Sequence, residues 1–195
     1  MKILIGTNNN NKLRQFRNIF KDLNGNIELL TLADLNIKDD VEEDSDKLLE
    51  NAEKKAKYYG EKSNIPTLAD DTGLFIDSLG GEPGLHSKRW FSGTDKDRYM
   101  KILEKMKGVA EEKRTCHYAG ALVFYNPTNK KIWRYEQNVD GIIATSPKEG
   151  EGFGYDPIVI IKNTGRYYSD FSEEEKAEIS HRGLGIKELL KHLEI

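Results

Sequence analysis

The chain has 195 residues, of which 37% are hydrophobic and 32% are charged, and this balance excludes both a disordered chain and a fibrous repeat. A chain of this length is close to one domain in size and buries roughly 70% of the surface that its unfolded form exposes. The 30 basic and 33 acidic residues give a net charge of −3, which argues against general electrostatic binding of DNA or RNA, so a ligand with phosphate groups would need a local cluster of positive side chains.

Strand and helix patterns follow one another along the whole chain. In chain order they give a strand at 2–6, a helix at 12–20, a strand at 27–32, a helix at 45–59, strands at 67–69 and 74–79, a helix at 95–106, strands at 116–125, 131–137, 139–145 and 158–161, and helices at 172–179 and 184–193. Ser45 is a suitable cap for the second helix, and Asp70 and Asp71 fall in a polar turn between two strands. Mixed strands and helices without an internal repeat or a linker predict one α/β domain over residues 1–195, bent into two lobes around a cleft.

The cysteine content and the hydropathy indicate the compartment. The single cysteine, Cys116, excludes an intrachain disulfide and a cysteine-based zinc site, and we expect it to be a small apolar residue in a strand. No run approaches the ~20 apolar residues of a membrane span. The N-terminal residues open directly into a strand pattern, which differs from a signal peptide. We therefore expect a cytoplasmic protein.

The first polar segment suited to phosphate is residues 6–12, between the first strand and the first helix. It carries Thr7, Asn8, Asn9 and Lys12. Backbone N–H groups at a helix N-terminus, short hydroxyl and amide side chains and one lysine together make an anion site. The segment lacks the glycine pattern of a P-loop, and taken alone it also fits a solvated turn that caps a helix.

The second segment is residues 69–73, in which Asp70 and Asp71 are adjacent carboxylates. Adjacent carboxylates repel each other unless a cation joins them, and a magnesium ion bound by one or two carboxylates, water and phosphate oxygens would supply that cation. Glu42 or Glu43, in the acidic stretch before the second helix, would add a ligand. Taken alone, the segment equally fits an ordinary polar turn.

The third segment is residues 150–157, whose three glycines let the backbone approach a flat ligand closely. Phe153 or Tyr155 would stack on a base, and Asp156 would accept a hydrogen bond from a ring N–H. The alternative is a tight turn between strands with its aromatic side chains in the core.

The fourth segment joins the last two helices and carries Lys176, His181 and Arg182. All three side chains are hydrogen-bond donors that suit phosphate or the carbonyl edge of a base. Lys55, on the predicted second helix, would point at a triphosphate. The alternative for each of these residues is an ordinary solvated position.

Taken together, these segments resemble the inosine triphosphate pyrophosphatase family, whose members remove noncanonical purine nucleoside triphosphates. The resemblance spans nearly the whole chain and rests on motifs in one order: Thr7-x-Asn9-x-x-Lys12, Glu50-Asn51-Ala52 with Lys55, Ala69-Asp70-Asp71-Thr72-Gly73-Leu74, Leu79-Gly80-Gly81-x-Pro83-Gly84, Gly152-Phe153-Gly154-Tyr155-Asp156-Pro157, and Glu175-Lys176 followed by Ser180-His181-Arg182-Gly183. It implies an elongated mixed β-sheet flanked by helices, two lobes with a central active-site cleft between them, and a homodimer.

The resemblance also implies a role for each site residue. Magnesium, or manganese in its place, would be bound by Glu43 and Asp71 with Asp70 close by, and Asp71 would act as the catalytic proton acceptor. The remaining residues would contact the nucleotide substrate, namely Thr7, Asn8, Asn9, Lys12, Lys55, Thr72, Phe153, Gly154, Tyr155, Asp156, Lys176, His181 and Arg182. Two departures from the family pattern are Gln15, where a Glu is usual, and Asn11, where a Gly is common.

The predicted reaction is hydrolysis of inosine, deoxyinosine and xanthosine triphosphates to the nucleoside monophosphate and diphosphate. Magnesium would bridge phosphate oxygens while Asp71 deprotonates a water molecule that attacks the α-phosphorus. Two alternatives remain open at this point. One is a hydrolase that releases orthophosphate from the γ position, and the other is a catalytically silent protein that binds purine nucleotides.

Overall fold

The computed structural model describes residues 1–21, 27–150 and 152–194. Its strands are β1 (Lys2–Ile5), β2 (Glu28–Thr31), β3 (Thr67–Ile76), β4 (Pro83–Gly84), β5 (Thr115–Asn126), β6 (Lys131–Ile143) and β7 (Val159–Ile161). Its α-helices are α1 (Asn10–Lys21), α2 (Leu48–Ser63), α3 (Asp95–Lys105), α4 (Glu173–Ile179) and α5 (His181–His192). Within these described ranges, no helix is both long and apolar enough to cross a lipid bilayer.

The strands form one mixed sheet in the order β2-β1-β3-β5-β6-β7, and β4 pairs with β3. β1 runs parallel to β2 and to β3, whereas the β3–β4 and β6–β7 pairs are antiparallel. Helices α1 and α2 provide the crossover connections that parallel strands require. This arrangement confirms the predicted α/β fold with a mixed sheet flanked by helices.

The chain divides into two compact units. The first unit comprises Met1–Asp71, Gly120–Gln137 and Glu173–Ile195, and the second comprises Thr72–Ala119 and Asn138–Ser172. Strands β3, β5 and β6 each continue from one unit into the other. Each unit is therefore built on part of the same three strands.

The core of the first unit lies on both faces of β1. Ile3 and Ile5 pack on one face with Phe16 of α1, in a cluster that also includes buried residues of α5. Leu4 packs on the other face with Tyr59 of α2. A strand with consecutive buried side chains is typical of a parallel strand covered on both faces. Helices α1 and α5 thus cover one face of β1, and α2 covers the other.

Capping fixes the point at which α5 begins. Ser180 Oγ accepts a hydrogen bond of 3.2 Å from the backbone N–H of Gly183, and such a bond satisfies a donor that a helix start otherwise leaves unpaired. The helix therefore begins at His181, three residues earlier than its apolar spacing predicts. As a result, His181 and Arg182 lie in the first turn of α5.

In the second unit, Arg114 joins the end of α3 to β6. Its guanidinium is buried and donates hydrogen bonds to the carbonyl O atoms of Ile143 at 2.6 Å, Ala144 at 2.6 Å and Met106 at 2.9 Å. Buried polar groups are stable in a folded chain when they are satisfied in this way. Arg114 therefore has a structural role in this unit.

Two of the strand predictions are wrong. Residues 67–76 form the single strand β3, so Asp70 and Asp71 lie inside a strand and not in a turn between two strands. Residues 131–143 likewise form the single strand β6. The local polarity of the Asp pair predicts a turn, but both carboxylates contact positive side chains from other elements, which makes their burial in a strand possible.

The predicted cap of the second helix is also wrong. α2 begins at Leu48, and its N-cap residue Lys47 makes no side-chain capping bond. Ser45 is instead held by Asn51, whose Oδ1 accepts from the Ser45 N–H at 3.0 Å and whose Nδ2 donates to the Ser45 carbonyl O at 3.1 Å. A buried asparagine of α2 thus fixes the backbone that follows the acidic stretch at 42–44.

Candidate active site

The side chain of Asn9 caps the N-terminus of α1, in the first segment that was predicted to bind phosphate. Asn9 Oδ1 accepts hydrogen bonds from the backbone N–H groups of Asn11 at 3.0 Å and Lys12 at 3.3 Å. Thr7 Oγ1 accepts a hydrogen bond of 3.2 Å from the backbone N–H of Asn9, and Asn8 is exposed. The positive end of the helix dipole and a loop of short polar side chains therefore lie beside Lys12.

Asp70 is a buried carboxylate in contact with positive side chains. Its Oδ2 atom lies 2.5 Å from Arg182 Nη2, 3.1 Å from Lys12 Nζ and 3.6 Å from His181 Nε2. Burial alone would raise the pKa of Asp70, but the charges of Arg182 and Lys12 hold that pKa well below its ordinary value. Asp70 is therefore ionised at neutral pH, and its charge keeps Lys12 and Arg182 close together.

Asp71 and Glu43 are held near each other by Lys55. Lys55 Nζ lies 2.5 Å from Glu43 Oε1 and 3.7 Å from Asp71 Oδ1, and it donates a hydrogen bond of 2.8 Å to the carbonyl O of Asp70. Burial would lower the pKa of Lys55, but the charges of Asp71, Asp70 and Glu43 raise it above its ordinary value. Burial raises the pKa of Asp71 as well, against the opposing charges of Lys55 and Lys12.

The structure distinguishes the two acidic residues that were candidates for a metal ligand. Glu43 contacts Lys55, which also contacts Asp71, whereas Glu42 is exposed. Over residues 1–21, 27–150 and 152–194, no three His, Cys, Asp or Glu side chains form a group that could hold a metal ion. Magnesium, however, is typically bound by only one or two protein carboxylates together with water and phosphate oxygens. The pair formed by Glu43 and Asp71 fits that requirement.

Gln15 positions Arg182, a role that the sequence analysis missed. Arg182 Nη1 donates a hydrogen bond of 2.7 Å to Gln15 Oε1, while Arg182 Nη2 bonds to Asp70. Gln15 lies three residues after Lys12 in α1, so the two side chains share a face of the helix. That spacing is the signal from which the role could have been found. Gln15 and Asp70 together fix both ends of the Arg182 guanidinium.

The His181 ring occupies space that Gly120 in β5 leaves open. A Cβ atom at Gly120 would lie 2.1 Å from His181 Cγ and 2.2 Å from His181 Nδ1. Burial of the ring and the charge of Arg182 lower the pKa of His181 to about 4, against the opposing effect of Asp70. His181 is therefore neutral at pH 7, with one ring nitrogen that donates and one that accepts.

Lys176 is buried in α4, close to the point where α5 begins. The Ser180 N–H donates a hydrogen bond of 2.9 Å to the Lys176 carbonyl O. A Cβ atom at Gly183 would lie 1.8 Å from the carbonyl O of Ala177, so α4 and α5 approach each other closely at this glycine. This close approach fixes Lys176 relative to the first turn of α5.

The remaining predicted site residues belong to the second unit. Thr72 directly follows Asp71 in β3, and Phe153, Gly154, Tyr155 and Asp156 lie in the loop before β7. Glu151, part of the same predicted segment, lies outside the described residues. The residues that the structure brings together in the first unit are Lys12, Glu43, Lys55, Asp70, Asp71, His181 and Arg182.

The loop of the second unit exposes one of its two aromatic rings. Tyr155 is 6% exposed, and its hydroxyl donates a hydrogen bond of 2.5 Å to the Ser87 carbonyl O. Asp156 is 5% exposed and accepts a hydrogen bond of 3.0 Å from the Tyr118 hydroxyl. Phe153 is partly exposed. Of the two rings considered for stacking on a base, Phe153 is therefore the accessible one.

Comparison with known proteins identifies the family. The sequence pattern of the Ham1 family matches residues 3–192. The chain belongs to the Ham1 family. Among the relatives of this Ham1-family chain, the dITP/XTP pyrophosphatase of Thermoanaerobacter sp. (strain X514) is 37% identical over 99% of this chain and 96% of its own length. A dITP/XTP pyrophosphatase of Thermus thermophilus is 37% identical over 98% of this chain and 91% of its own length.

Solved structures support the same assignment. The Ham1 protein of Staphylococcus aureus has a TM-score of 0.84 to this Ham1-family chain and 30% sequence identity, over 100% of this chain and 98% of that one. A Ham1 protein from Coxiella burnetii has a TM-score of 0.85 and 28% identity, over 99% and 98% of the two chains. The family that the sequence motifs predicted is thus confirmed.

Proposed function

We propose that this Ham1-family chain hydrolyses noncanonical purine nucleoside triphosphates, such as ITP, dITP and XTP, to the nucleoside monophosphate and diphosphate. The observation that carries the proposal is the set of positive side chains, Lys12, Lys55 and Arg182, in contact with the adjacent carboxylates Asp70 and Asp71. The two relatives described above are named dITP/XTP pyrophosphatases and match over nearly their whole length. The chain is therefore a nucleoside-triphosphate pyrophosphatase that clears such nucleotides from the nucleotide pool.

The first unit supplies groups that bind phosphate oxygens. Lys12 lies at the N-terminus of α1 beside the side chains of Thr7 and Asn9, and Lys55 lies in α2 beside Asp71. Burial lowers the pKa of Lys12 despite the nearby carboxylate of Asp70. A bound triphosphate adds negative charge and so favours the protonated form of both lysines. Binding of the triphosphate and protonation of Lys12 therefore reinforce each other.

Asp71 is the proposed proton acceptor. Its raised pKa makes the ionised carboxylate a stronger base than an exposed aspartate. Asp71 takes a proton from a water molecule as the water oxygen forms a bond to the α-phosphorus. The bond from the α-phosphorus to the oxygen that bridges to the β-phosphate then breaks, and diphosphate leaves with the electron pair. Lys12 and Lys55 stabilise the charge that develops on the leaving diphosphate.

We propose magnesium as the cofactor, with manganese as an alternative, held by Glu43 and Asp71. When bound, the ion supplies positive charge that polarises phosphate oxygens and favours ionisation of water. Lys55 keeps the two carboxylates close together although they repel each other. Asp70 lies nearby, and its Oδ2 atom is bonded to Arg182 and Lys12. The Asp70 carboxylate therefore holds the positive side chains of Lys12 and Arg182 in place.

Selection of the base is assigned to hydrogen-bond donors and to one aromatic ring. Arg182 is a donor only, whereas neutral His181 has a single N–H, which is directed at the Asp70 carboxylate. Donors favour a carbonyl at position six of the purine, as in inosine and xanthosine, and would face an unmatched amine in adenine. In the second unit, the accessible ring of Phe153 is suited to stack on a purine.

Product analysis tests the proposed function. The protein is incubated with ITP, dITP, ATP or GTP, in magnesium or in EDTA, and the products are separated by ion-exchange chromatography. We expect diphosphate and the monophosphate, released from ITP and dITP much faster than from ATP or GTP and only with metal. Orthophosphate and a nucleoside diphosphate would instead place cleavage at the γ position. Tight binding without turnover would indicate a nucleotide-binding protein.

A matched pair of lysine variants links the activity to the site. Lys55→Met removes the ammonium group that contacts Glu43 and Asp71. Lys54→Met removes the same charge from the adjacent residue, whose ammonium pairs with Asp44 at 2.7 Å on the surface. We expect Lys55→Met to lose most of the diphosphate release and Lys54→Met to retain it. Equal activities of the two variants would contradict the assignment of Lys55.

The assembly and the compartment are proposed on other grounds. A homodimer follows from the resemblance alone, and light scattering coupled to size-exclusion chromatography tests it. A cytoplasmic location agrees with the free thiol of Cys116, which is buried. Fractionation of cells that express the tagged chain tests the location.

A further inference from the structure

The loop that carries Phe153 is anchored to the first turn of α3. Asp95 Oδ2 accepts a hydrogen bond of 2.9 Å from the backbone N–H of Gly154, and Asp95 Oδ1 pairs with Arg98. Both oxygens of the Asp95 carboxylate therefore have a partner. Gly154 has a φ of 59°, in the left-handed region that favours glycine. Asp95 thus binds the loop at a residue whose backbone conformation few other residues adopt.

Two further contacts hold the part of the loop that follows Gly154. The Tyr155 hydroxyl bonds to the Ser87 carbonyl O, and Asp156 accepts from the Tyr118 hydroxyl. Both contacts involve buried side chains that follow Phe153 by two and three residues. Within the loop, the Phe153 carbonyl O accepts a hydrogen bond of 3.1 Å from the Asp156 N–H. The bond from Gly154 to Asp95 joins the direct chain neighbour of Phe153 to a side chain of another element, α3.

We propose that Asp95 is a positioning residue for the nucleobase, because it fixes the Gly154 backbone and with it the orientation of the Phe153 ring. The inference rests on the proposed function, which supplies a purine as the ligand of that ring. Asp95 acts through Gly154 and takes no part in proton transfer at Asp71. Its loss should therefore weaken binding of the base side of the nucleotide and leave the chemical step and the binding of diphosphate unchanged.

Asp97 offers a matched control for Asp95. It lies in the same turn of α3 and carries the same charge, but its carboxylate accepts from the backbone N–H of Thr94 at 2.7 Å and makes a capping box with that residue. Asp97→Ala therefore removes one negative charge and a helix cap without touching the Gly154 bond. Any effect of Asp95→Ala that exceeds that of Asp97→Ala reports on the loop.

The experiment measures kcat and KM for dITP, and the inhibition constants of dIMP and of inorganic diphosphate, in variants shown to be folded by thermal melting. For Asp95→Ala we expect KM for dITP and the inhibition constant of dIMP to rise about tenfold, which corresponds to ~1.4 kcal/mol. The value of kcat and the inhibition constant of diphosphate should stay within roughly twofold of wild type, well below that factor. Asp95→Asn keeps an acceptor oxygen and should restore most of the affinity.

The outcomes separate this inference from the function on which it rests. An active wild type with an unchanged KM in Asp95→Ala, or with an equal increase in Asp97→Ala, overturns the role of Asp95 alone. A wild type that releases no diphosphate from dITP overturns the proposed function, and the inference with it. If Asp95→Ala does not fold, Asp95→Ser replaces it, since its shorter side chain suits a helix start but does not reach Gly154. Asp95→Ser must then show the same rise in KM, and an unchanged KM overturns the inference.

Discussion

A methyl group at Gly120 should displace the His181 ring. The added Cβ atom would lie 2.1 Å, 2.2 Å and 2.5 Å from three atoms of that ring. Carbon atoms pack best at about 3.5–4.0 Å, so the ring would have to withdraw by more than ~1 Å. His181 is 4% exposed and its Nε2 atom lies 3.6 Å from Asp70 Oδ2, which leaves the ring little room to move. Because overpacking of a core typically costs ~1–3 kcal/mol, we expect Gly120→Ala to lower the free energy of unfolding by ~3 kcal/mol.

A double-mutant cycle measures this steric conflict directly. A loss of ~3 kcal/mol in a chain of this length lowers the melting temperature by roughly 6–12 °C. In a His181→Ala background the ring is gone, so the same Gly120→Ala change should cost less than ~1 kcal/mol. Urea unfolding of the four proteins, with dITP hydrolysis in parallel, provides the energies. An equal cost of Gly120→Ala in both backgrounds would refute the view that His181 fills the space above Gly120.

Four further expectations follow from the site. Asp71→Asn should lower kcat for dITP by about 10²–10⁴ because the general base is lost, and calorimetry should still detect bound nucleotide; an unchanged kcat contradicts this role. Phe153→Ala should raise KM for dITP about 5- to 150-fold, since base stacking contributes ~1–3 kcal/mol, and Phe153→Trp should not; equal KM values argue against stacking. EDTA should abolish turnover, and added magnesium should restore it; turnover in EDTA excludes the metal. His181 has a pKa of about 4 when folded, below its ordinary value of 6.5, so its contribution to stability is present above pH 6.5 and is lost as the pH falls towards 4. When the pH is lowered from 7 to 5 in EDTA, the free energy of unfolding of wild type should therefore fall by ~2 kcal/mol more than that of His181→Gln. An equal fall in the two proteins contradicts a buried neutral ring.

Local sequence patterns were sufficient to predict the strands and helices whose position depends on their own apolar residues. The strand β1 and the helices α1 and α3 lie where the apolar pattern places them, because the apolar residues that each one buries lie within a short stretch of sequence. β3 was predicted as two strands because Asp70 and Asp71 interrupt its apolar pattern. The positive side chains that make their burial possible come from α1, α2 and α5, and no local pattern contains that information.

The site was predictable in its residue types but not in its contacts. Gln15 and Arg182 are 167 positions apart in the sequence and yet share a hydrogen bond. The His181 ring fills the space that Gly120 leaves open only because α5 packs against β5. The local sequence around Gly120 does not reveal this contact. Motif spacing identifies which residues belong to a site, whereas the pairing of residues within it depends on how distant elements pack.

Asp70 and Asp71 are adjacent in one strand, and these two chemically identical side chains make different contacts for that reason. Successive side chains of a strand point to opposite faces, so Asp70 meets Lys12 of α1 and Arg182 of α5 while Asp71 meets Lys55 of α2. The alternation of side chains along the strand, and not a difference in side-chain chemistry, therefore gives the two carboxylates different partners. Inserting or deleting a single residue between Thr67 and Asp70 would turn each of the two carboxylates to the opposite face of the strand. The contacts of both carboxylates therefore depend on the number of residues between Thr67 and Asp70.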